Sequence, residues 1–459
     1  MDSLFQTTLR LAEEILATEQ ESVRRPRIEP EELRTRLDLG LRREGRSQEE
    51  VLDNMRSVLA HTPRTSDHRF FNQLFAGRLP IATSAEWLSC LLNVSMYTFK
   101  VAGPMILAEQ EVARRMCAMA GFHQGDGLSV PGGSMANLVA MLLGRNSAVP
   151  GIRENGSDGR KLAFYLSREG HYSVTKNAGI LGIGRANVRL IDVDDQGRMQ
   201  VEHLAATLRS DIEAGVVPCA VIATAGTTVI GAFDPIREIA AITRELGIWL
   251  HVDGAFGGSM LLNPKTRALL DGIELADSLT WDAHKAMGIP LMCSMLLTRD
   301  ANVLRNNLNE TADYLFQADD DTLNPGTRSI QCGRRDDTFK LWAAWQQMGD
   351  AGWERHIEQQ MALTAYAVER IKAEPKLKLH VEPKSITVCF TYEGVESAAI
   401  CDALHKNGAA LIGYGKVFGE ETIRLVTVNP EITKEDIDNL FDEILACASA
   451  MHSHSAARC

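Results

Sequence analysis

Between residues 161 and 298, short and almost wholly apolar runs alternate with helical patterns. The runs are 161-KLAFYLS-167, 186-ANVRLIDV-193, 218-PCAVIATA-225, 248-IWLHVD-253 and 293-CSMLLT-298. Between them lie 201-VEHLAATLRSDIEAG-215 and 234-DPIREIAAITRELG-247, with apolar residues at helical spacing. A strand that is apolar on both faces must be covered on both faces. Strand–helix alternation supplies that cover, so the pattern predicts an α/β fold with a mostly parallel sheet. In such a sheet, reactive groups gather beyond the carboxyl ends of the strands.

The chain has 459 residues, too many for one simple core, and three zones are expected. Residues 1–60 read as a helical dimerisation segment. Leu4, Leu9, Leu11, Ile15 and Leu16 fit an amphipathic helix, and Pro26 and Pro30 interrupt the later part. Residues 61–345 hold the alternating pattern. Residues 346–459 read as a smaller α+β domain, with 354-ERHIEQQMALTAYAVERIKAE-374 and 433-TKEDIDNLFDEILACASAM-451 as helices and 385-SITVCF-390 and 422-TIRLVTV-428 as strands. The tail HSHSAARC is expected to be unstructured.

Composition excludes several functions. The 60 acidic side chains outnumber 48 basic ones, for a formal charge of −12, and no basic stripe suggests nucleic acid or an anionic membrane surface. No apolar run approaches the length of a membrane span. The N-terminus places Glu13 and Glu14 inside its apolar pattern and does not read as a secretory signal. Nine cysteines, none in a C-x-x-C pair, argue against a disulfide framework or a thiolate metal site; no metal is expected, and a reducing cytoplasm fits best.

Three features fall at expected strand ends. Asp253 closes 248-IWLHVD-253 and is followed by small residues that leave the backbone approachable. The turn 131-PGGSMAN-137 leads into a helical pattern, where free N–H groups can cradle a phosphate. Lys285, in 279-LTWDAHKAMGIP-290, is a cation in an apolar setting, costly unless it is paired or uncharged. A lysine, an acid and a phosphate cup are what pyridoxal phosphate requires: an amine to hold it, an acid beside the pyridine nitrogen and a seat for the phosphate. At an effective dielectric near 20, opposite charges about 4 Å apart attract by roughly 4 kcal/mol, enough to favour the pyridinium.

The chain resembles the group II pyridoxal-dependent amino-acid decarboxylases, in the branch of glutamate and cysteine sulfinate decarboxylases. The resemblance rests on 71-FNQLFAG-77, 131-PGGSMAN-137, 182-GIG-184, 223-ATAGTTVIGAFDP-235, 251-HVDGAFGG-258, 277-DSLTWDAHK-285, 330-IQCGRRDDTFKLW-342 and 424-RLVTVNP-430. It implies fold type I, the aspartate aminotransferase-like fold, and a homodimer whose sites are completed by the loop near residues 330–335 of the other subunit. It makes Lys285 the lysine that carries the cofactor and sets Asp253 against the pyridine nitrogen. His171 becomes the histidine stacked on the ring, a candidate to return a proton after carbon dioxide leaves. Gly133, Ser134 and Met135 match the phosphate cup, Thr224 and Ala255 flank the cofactor, and His284 lies near the phosphate.

The resemblance also implies an acid clamp for the substrate side chain, made by Gln73 and Arg424; an arginine fork suits a carboxylate or sulfinate. Phe75, Ser95 and Tyr97 look more like cysteine sulfinate decarboxylase than glutamate decarboxylase, and a bulky Phe75 is expected to favour aspartate-sized acids. Two positions depart from the pattern. The relatives carry a proton-donating tyrosine in the loop that corresponds to residues 314–331, and here no tyrosine lies between Leu315 and Gln331. Lys100 stands where close relatives have glutamate, either as a solvated residue or as an extra cation near the pocket. The expected activity is decarboxylation of a small acidic L-amino acid to its amine. The alternatives are decarboxylation-dependent transamination or oxidative deamination, or decarboxylation of a non-acidic amino acid.

Overall fold

The computed structural model describes residues 3–19, 24–310 and 321–456, which form two compact units. The larger unit comprises Arg78–Thr364 with Val381–Thr387. The smaller comprises Met1–Gly77, Ala365–His380 and Val388–Cys459. These boundaries lie elsewhere than the three zones read from the sequence. The N-terminal helices cluster with C-terminal segments, and residues 346–364 belong to the larger unit. Composition marks a change of pattern along the chain, whereas a unit is set by which apolar faces bury one another.

The larger unit is built on seven strands: β1 (Asp126–Val130), β2 (Lys161–Ser167), β3 (Val188–Ile191), β4 (Val216–Thr224), β5 (Trp249–Asp253), β6 (Ser278–Asp282) and β7 (Ser294–Thr298). Their order is β1-β7-β6-β5-β4-β2-β3. The pairs β6–β5, β5–β4, β4–β2 and β2–β3 are parallel, and β7 runs antiparallel to both its neighbours. The fold is thus α/β with a mostly parallel sheet, as the apolar runs predict. β6 and β7 are buried at every position, as strands covered on both faces must be.

The helix Gly133–Ala148 lies close against this sheet. A Cβ on Gly144 would stand 2.9 Å from Ala220 Cβ and 3.2 Å from Trp249 Cβ, so only glycine permits this approach. The helix buries Ala136, Val139, Ala140, Met141 and Leu143. Each large one contributes roughly 1.5–3 kcal/mol on leaving water. The same helix carries the turn at its start to the carboxyl end of the sheet. Gly132, at φ 98°, makes that turn in a region other residues rarely enter.

The smaller unit contains a four-stranded sheet, ordered β10-β11-β9-β8, of β8 (Leu377–Leu379), β9 (Thr387–Tyr392), β10 (Gly413–Val417) and β11 (Glu420–Val426). Its N-terminal part contains the helices Ser3–Glu19, Pro30–Arg36 and Gln48–His61. Pro30 opens a helix rather than interrupting one, because at the first helical position its missing N–H costs nothing. The C-terminal helix Lys434–Ala456 extends through most of the tail expected to be unstructured; residues 457–459 lie outside the described residues. No helix among the described residues is long and apolar enough to cross a membrane.

Candidate active site

Two strands of the larger unit, β4 and β5, end level with one another, and β6 runs two residues further. Thr224, Asp253 and Thr280 are register partners on β4, β5 and β6. Gly133 follows β1, His171 follows β2, and Lys285 follows β6 by three residues, so the expected cofactor residues all occupy one edge of the sheet. Asp253 is 5% exposed, and both its oxygens are held: Oδ1 accepts the Ala255 N–H at 3.2 Å and Oδ2 accepts the Asn137 side-chain amide at 2.8 Å.

His171 Nδ1 lies 2.8 Å from Ser173 Oγ and accepts the Ser173 N–H at 3.3 Å. Burial pushes the imidazole pKa down; the charges of Asp253 and Asp282 pull it up and that of Lys285 pushes it further down. The imidazole therefore feels both the expected acid and the expected lysine. Lys285 Nζ stands 3.3 Å from Asp282 Oδ2. Immediately after the lysine, the Ala286 carbonyl accepts His356 Nε2–H at 2.8 Å and Gln360 Nε2–H at 3.0 Å, which fixes the main chain at the base of the side chain. His284 is buried, with Nδ1 2.9 Å from the Cys293 carbonyl and Nε2 3.7 Å from Asp282; burial lowers its pKa.

Comparison with known proteins decides the family. The model of the pyridoxal-dependent decarboxylase conserved domain matches residues 30–393. The chain belongs to the pyridoxal-dependent decarboxylase family. It is 40% identical to the cysteine sulfinic acid decarboxylase of Mus musculus over 440 residues, covering 91% of this chain and 89% of the relative. It is 39% identical to the acidic amino acid decarboxylase GADL1 of Bos taurus, covering 90% and 84%. The crystal structure of mouse CSAD superposes with a TM-score of 0.92 at 38% identity, covering 97% of this chain and 98% of that one.

The cofactor of this decarboxylase is pyridoxal phosphate, and the residues present fit it. Thr224 Oγ1 and Asp282 Oδ1 are buried polar atoms with no hydrogen-bond partner among the described residues, an arrangement that calls for a polar ligand. A Cβ on Gly133 would lie 2.7 Å from Asp282 Oδ2 and 3.1 Å from Ala255 Cβ, so only a bare glycine brings the start of the helix this close to Asp282. Gly133 and Ser134 begin the helix Gly133–Ala148, where the first N–H groups have no intrahelical partner and favour an anion. The Met135 side chain packs against the apolar cluster that contains Leu128 and Val130, so only its main chain is suited to a phosphate.

The expected substrate residues fall in both units of the decarboxylase. Ser95 and Tyr97 belong to the larger. Ser95 Oγ accepts the Arg334 N–H at 3.3 Å, and the Tyr97 carbonyl accepts the Gly326 N–H at 3.0 Å. Arg334 is itself buried and paired with Glu109, so the stretch 95–97 rests on a buried ion pair. Gln73, Phe75 and Arg424 belong to the smaller unit. There Arg424, part-buried on β11, donates to the Asn72 carbonyl at 2.6 Å, which brings the guanidinium beside the residue preceding Gln73. Burial pushes the Arg424 pKa down.

Of the segment 314–331, residues 314–320 lie outside the described residues. The remainder is anchored within the larger unit: Asn324 Oδ1 accepts the Phe99 N–H at 3.2 Å, and Gln110 donates to the Thr322 carbonyl at 3.2 Å. Lys100 is exposed, on the short helix Phe99–Ala102.

Sequence reasoning passed over four polar residues linked to one another behind Asp253, and Asp282 beside Lys285. Asn137, His251, Ser278 and Thr280 are each no more than 1% exposed. The available signal was their position: polar side chains inside apolar strand and helix patterns must find partners. Asp282 stands in the quoted 279-LTWDAHK-285, three residues before the lysine.

Proposed function

We propose that this decarboxylase removes the α-carboxyl group of a small acidic L-amino acid, with cysteine sulfinate or aspartate preferred to glutamate, and releases the amine and carbon dioxide. The observation that carries the reading is Arg424, a part-buried guanidinium bonded to the Asn72 main chain beside Gln73. A cation disfavoured by burial gains from an anionic partner, and its fork matches a carboxylate or sulfinate. The names of the two relatives support the same class of substrate. Phe75, two residues beyond Gln73, limits the length of acid accommodated.

Pyridoxal phosphate, when bound, supplies the electron sink for the bond to the departing carboxyl group. In this reading Lys285 carries the cofactor covalently, and Asp253 holds an anionic charge toward the pyridine nitrogen. His171 lies over the ring and holds a proton for the carbon that loses carbon dioxide. Gly133, Ser134 and the Met135 main chain seat the phosphate, with His284 beside them, and Thr224 and Ala255 line the flanks. Ser95 and Tyr97 border the substrate. The test is a panel of acidic, aromatic and aliphatic amino acids with products identified by mass. Cysteine sulfinate and aspartate are expected to outpace glutamate and to yield amine and carbon dioxide in equal amounts. A preference for an uncharged side chain sinks the reading. Carbon dioxide in excess of amine favours the second reading, an aldehyde-forming or transaminating side reaction, for which the absence of tyrosine between Leu315 and Gln331 speaks.

The assembly proposed is a homodimer in the cytoplasm. The helix Pro80–Leu92 leaves Trp87, Leu88, Leu91 and Leu92 exposed, and the helix Gln48–His61 leaves Val51, Met55, Val58 and Leu59 exposed. Such apolar faces suit a second copy of the chain. Light scattering is expected to give twice the chain mass, and Leu88→Glu with Leu91→Glu to give monomers with little activity. A fully active monomer in dilute solution contradicts this. Buried free thiols at Cys117, Cys219, Cys293, Cys389 and Cys401 support a reducing compartment.

A further inference from the structure

Beneath the candidate site runs a chain of buried polar side chains whose hydrogen-bond directions follow from one fixed acceptor. Its starting point is the Asp253 carboxylate, which can only accept. Asn137 Nδ2 stands 2.8 Å from Asp253 Oδ2, so Asn137 presents its amino face to the acid. Its carbonyl oxygen then faces the other way, 3.0 Å from His251 Nε2 and 2.8 Å from Thr280 Oγ1, and accepts from both; Thr280 Oγ1 also stands 3.2 Å from His251 Nε2 and can share its proton as a second acceptor.

His251 is therefore protonated on Nε2. It is fully buried, with its pKa pushed down to about 4 by burial, so it is neutral and Nδ1 is an acceptor. Nδ1 takes the hydroxyl proton of Ser278, at 2.8 Å, and Ser278 Oγ in turn accepts Trp249 Nε1–H at 3.0 Å. On the other side, the Asn137 amino group also donates to Ser173 Oγ, at 3.2 Å. The Ser173 hydroxyl proton is thereby directed to His171 Nδ1, at 2.8 Å, which also accepts the Ser173 main-chain N–H. Two donors on Nδ1 leave the neutral His171 ring with its proton on Nε2.

We propose that Asn137 is a positioning residue that couples Asp253 to His171: by donating to the acid and to Ser173 at once, it holds the carboxylate in place and sets the tautomer of the histidine. The inference rests on the roles given above to Asp253 and His171. One amide oriented from behind by two buried donors thus determines both where the acid points and which nitrogen of His171 carries a transferable proton. Reversing any one link opposes two acceptors or two donors among buried side chains, which makes the chain cooperative.

Asn137→Asp tests it, because the shape is kept while both donors are lost. Apoprotein titrated with pyridoxal phosphate is expected to bind it roughly ten- to a hundredfold more weakly, by analogy with the loss of a group that orients a metal-binding residue. In long-range nitrogen–proton spectra of histidine-labelled apoprotein, His171 is expected to lose its pure Nε2–H pattern. Ser173→Ala breaks only the limb to His171: cofactor affinity is expected to hold while kcat falls at constant KM. Thr280→Val removes one of the two donors behind Asn137, and a smaller loss of cofactor affinity is expected. If soluble Asn137→Asp binds the cofactor as wild type does, with His171 unchanged, the inference is overturned. If that variant does not fold, silence of both Ser173→Ala and Thr280→Val overturns it equally. Asp253→Asn separates the two levels of the argument. If it too leaves cofactor affinity unchanged, the assignment of Asp253 itself fails; if it weakens binding while the Asn137 variant does not, only the coupling fails.

Discussion

Lys285→Ala is expected to abolish borohydride-fixed labelling of the chain by pyridoxal phosphate and, with it, all decarboxylation. Lys285 follows β6 by three residues, and its main chain is fixed there, the Ala286 carbonyl being held by both His356 and Gln360. The substitution has a second consequence. Asp282, 1% exposed, has Lys285 Nζ 3.3 Å from its Oδ2, so the alanine variant leaves a buried carboxylate without that cation. The apoprotein should melt at a lower temperature for that reason alone. Lys285→Arg separates the two effects, since a guanidinium retains the charge beside Asp282 yet cannot form the covalent link. Mass spectrometry after reduction reads the result. A Lys285→Ala chain that still acquires one reduced cofactor at wild-type yield removes the lysine from its assigned role.

Arg424→Ala is expected to lower kcat/KM for cysteine sulfinate or aspartate by about 2–5 kcal/mol in transition-state binding, roughly thirty- to several-thousandfold, with pyridoxal phosphate binding retained. Most of the loss is the desolvated anion of the substrate left without a charged partner. Arg424→Lys should recover only part of it, because an ammonium cannot make the paired contacts of the fork. Steady-state kinetics beside a cofactor titration checks the expectation. Undiminished turnover of the acidic substrates by Arg424→Ala would show that the side chain serves only its bond to Asn72.

What the sequence shows follows from the distance over which its signals act. Asp253 was legible because it closes a short apolar run, and Lys285 because it is a cation in an apolar setting, where burial is costly without a partner. β5 and β7 begin and end within about one or two residues of the runs read for them. The network behind Asp253 was not legible. Asn137, His251 and Thr280 come from a helix and two strands, 114 and 143 positions apart for the contacts of the Asn137 oxygen, and nothing local announces that they converge. The grouping of residues 1–77 with the C-terminal part was likewise invisible, since an amphipathic pattern reveals that a face needs cover without revealing which segment provides it.

That grouping has a bearing on how the chain is made. Leu11 is buried within a unit whose other segments begin at residues 365 and 388. At about 5–20 residues per second of synthesis, the N-terminal helices wait on the order of 15–60 s before residue 388 leaves the ribosome. Most of the larger unit, the uninterrupted stretch Arg78–Thr364, becomes available in the meantime. Closing so long a loop adds little to the thermodynamic cost, which grows only with the logarithm of its length, but it delays the closing contacts until late in folding. The first helices to be synthesised are thus among the last to be packed, and throughout the interval their apolar stripes are open to chaperones and to other nascent chains.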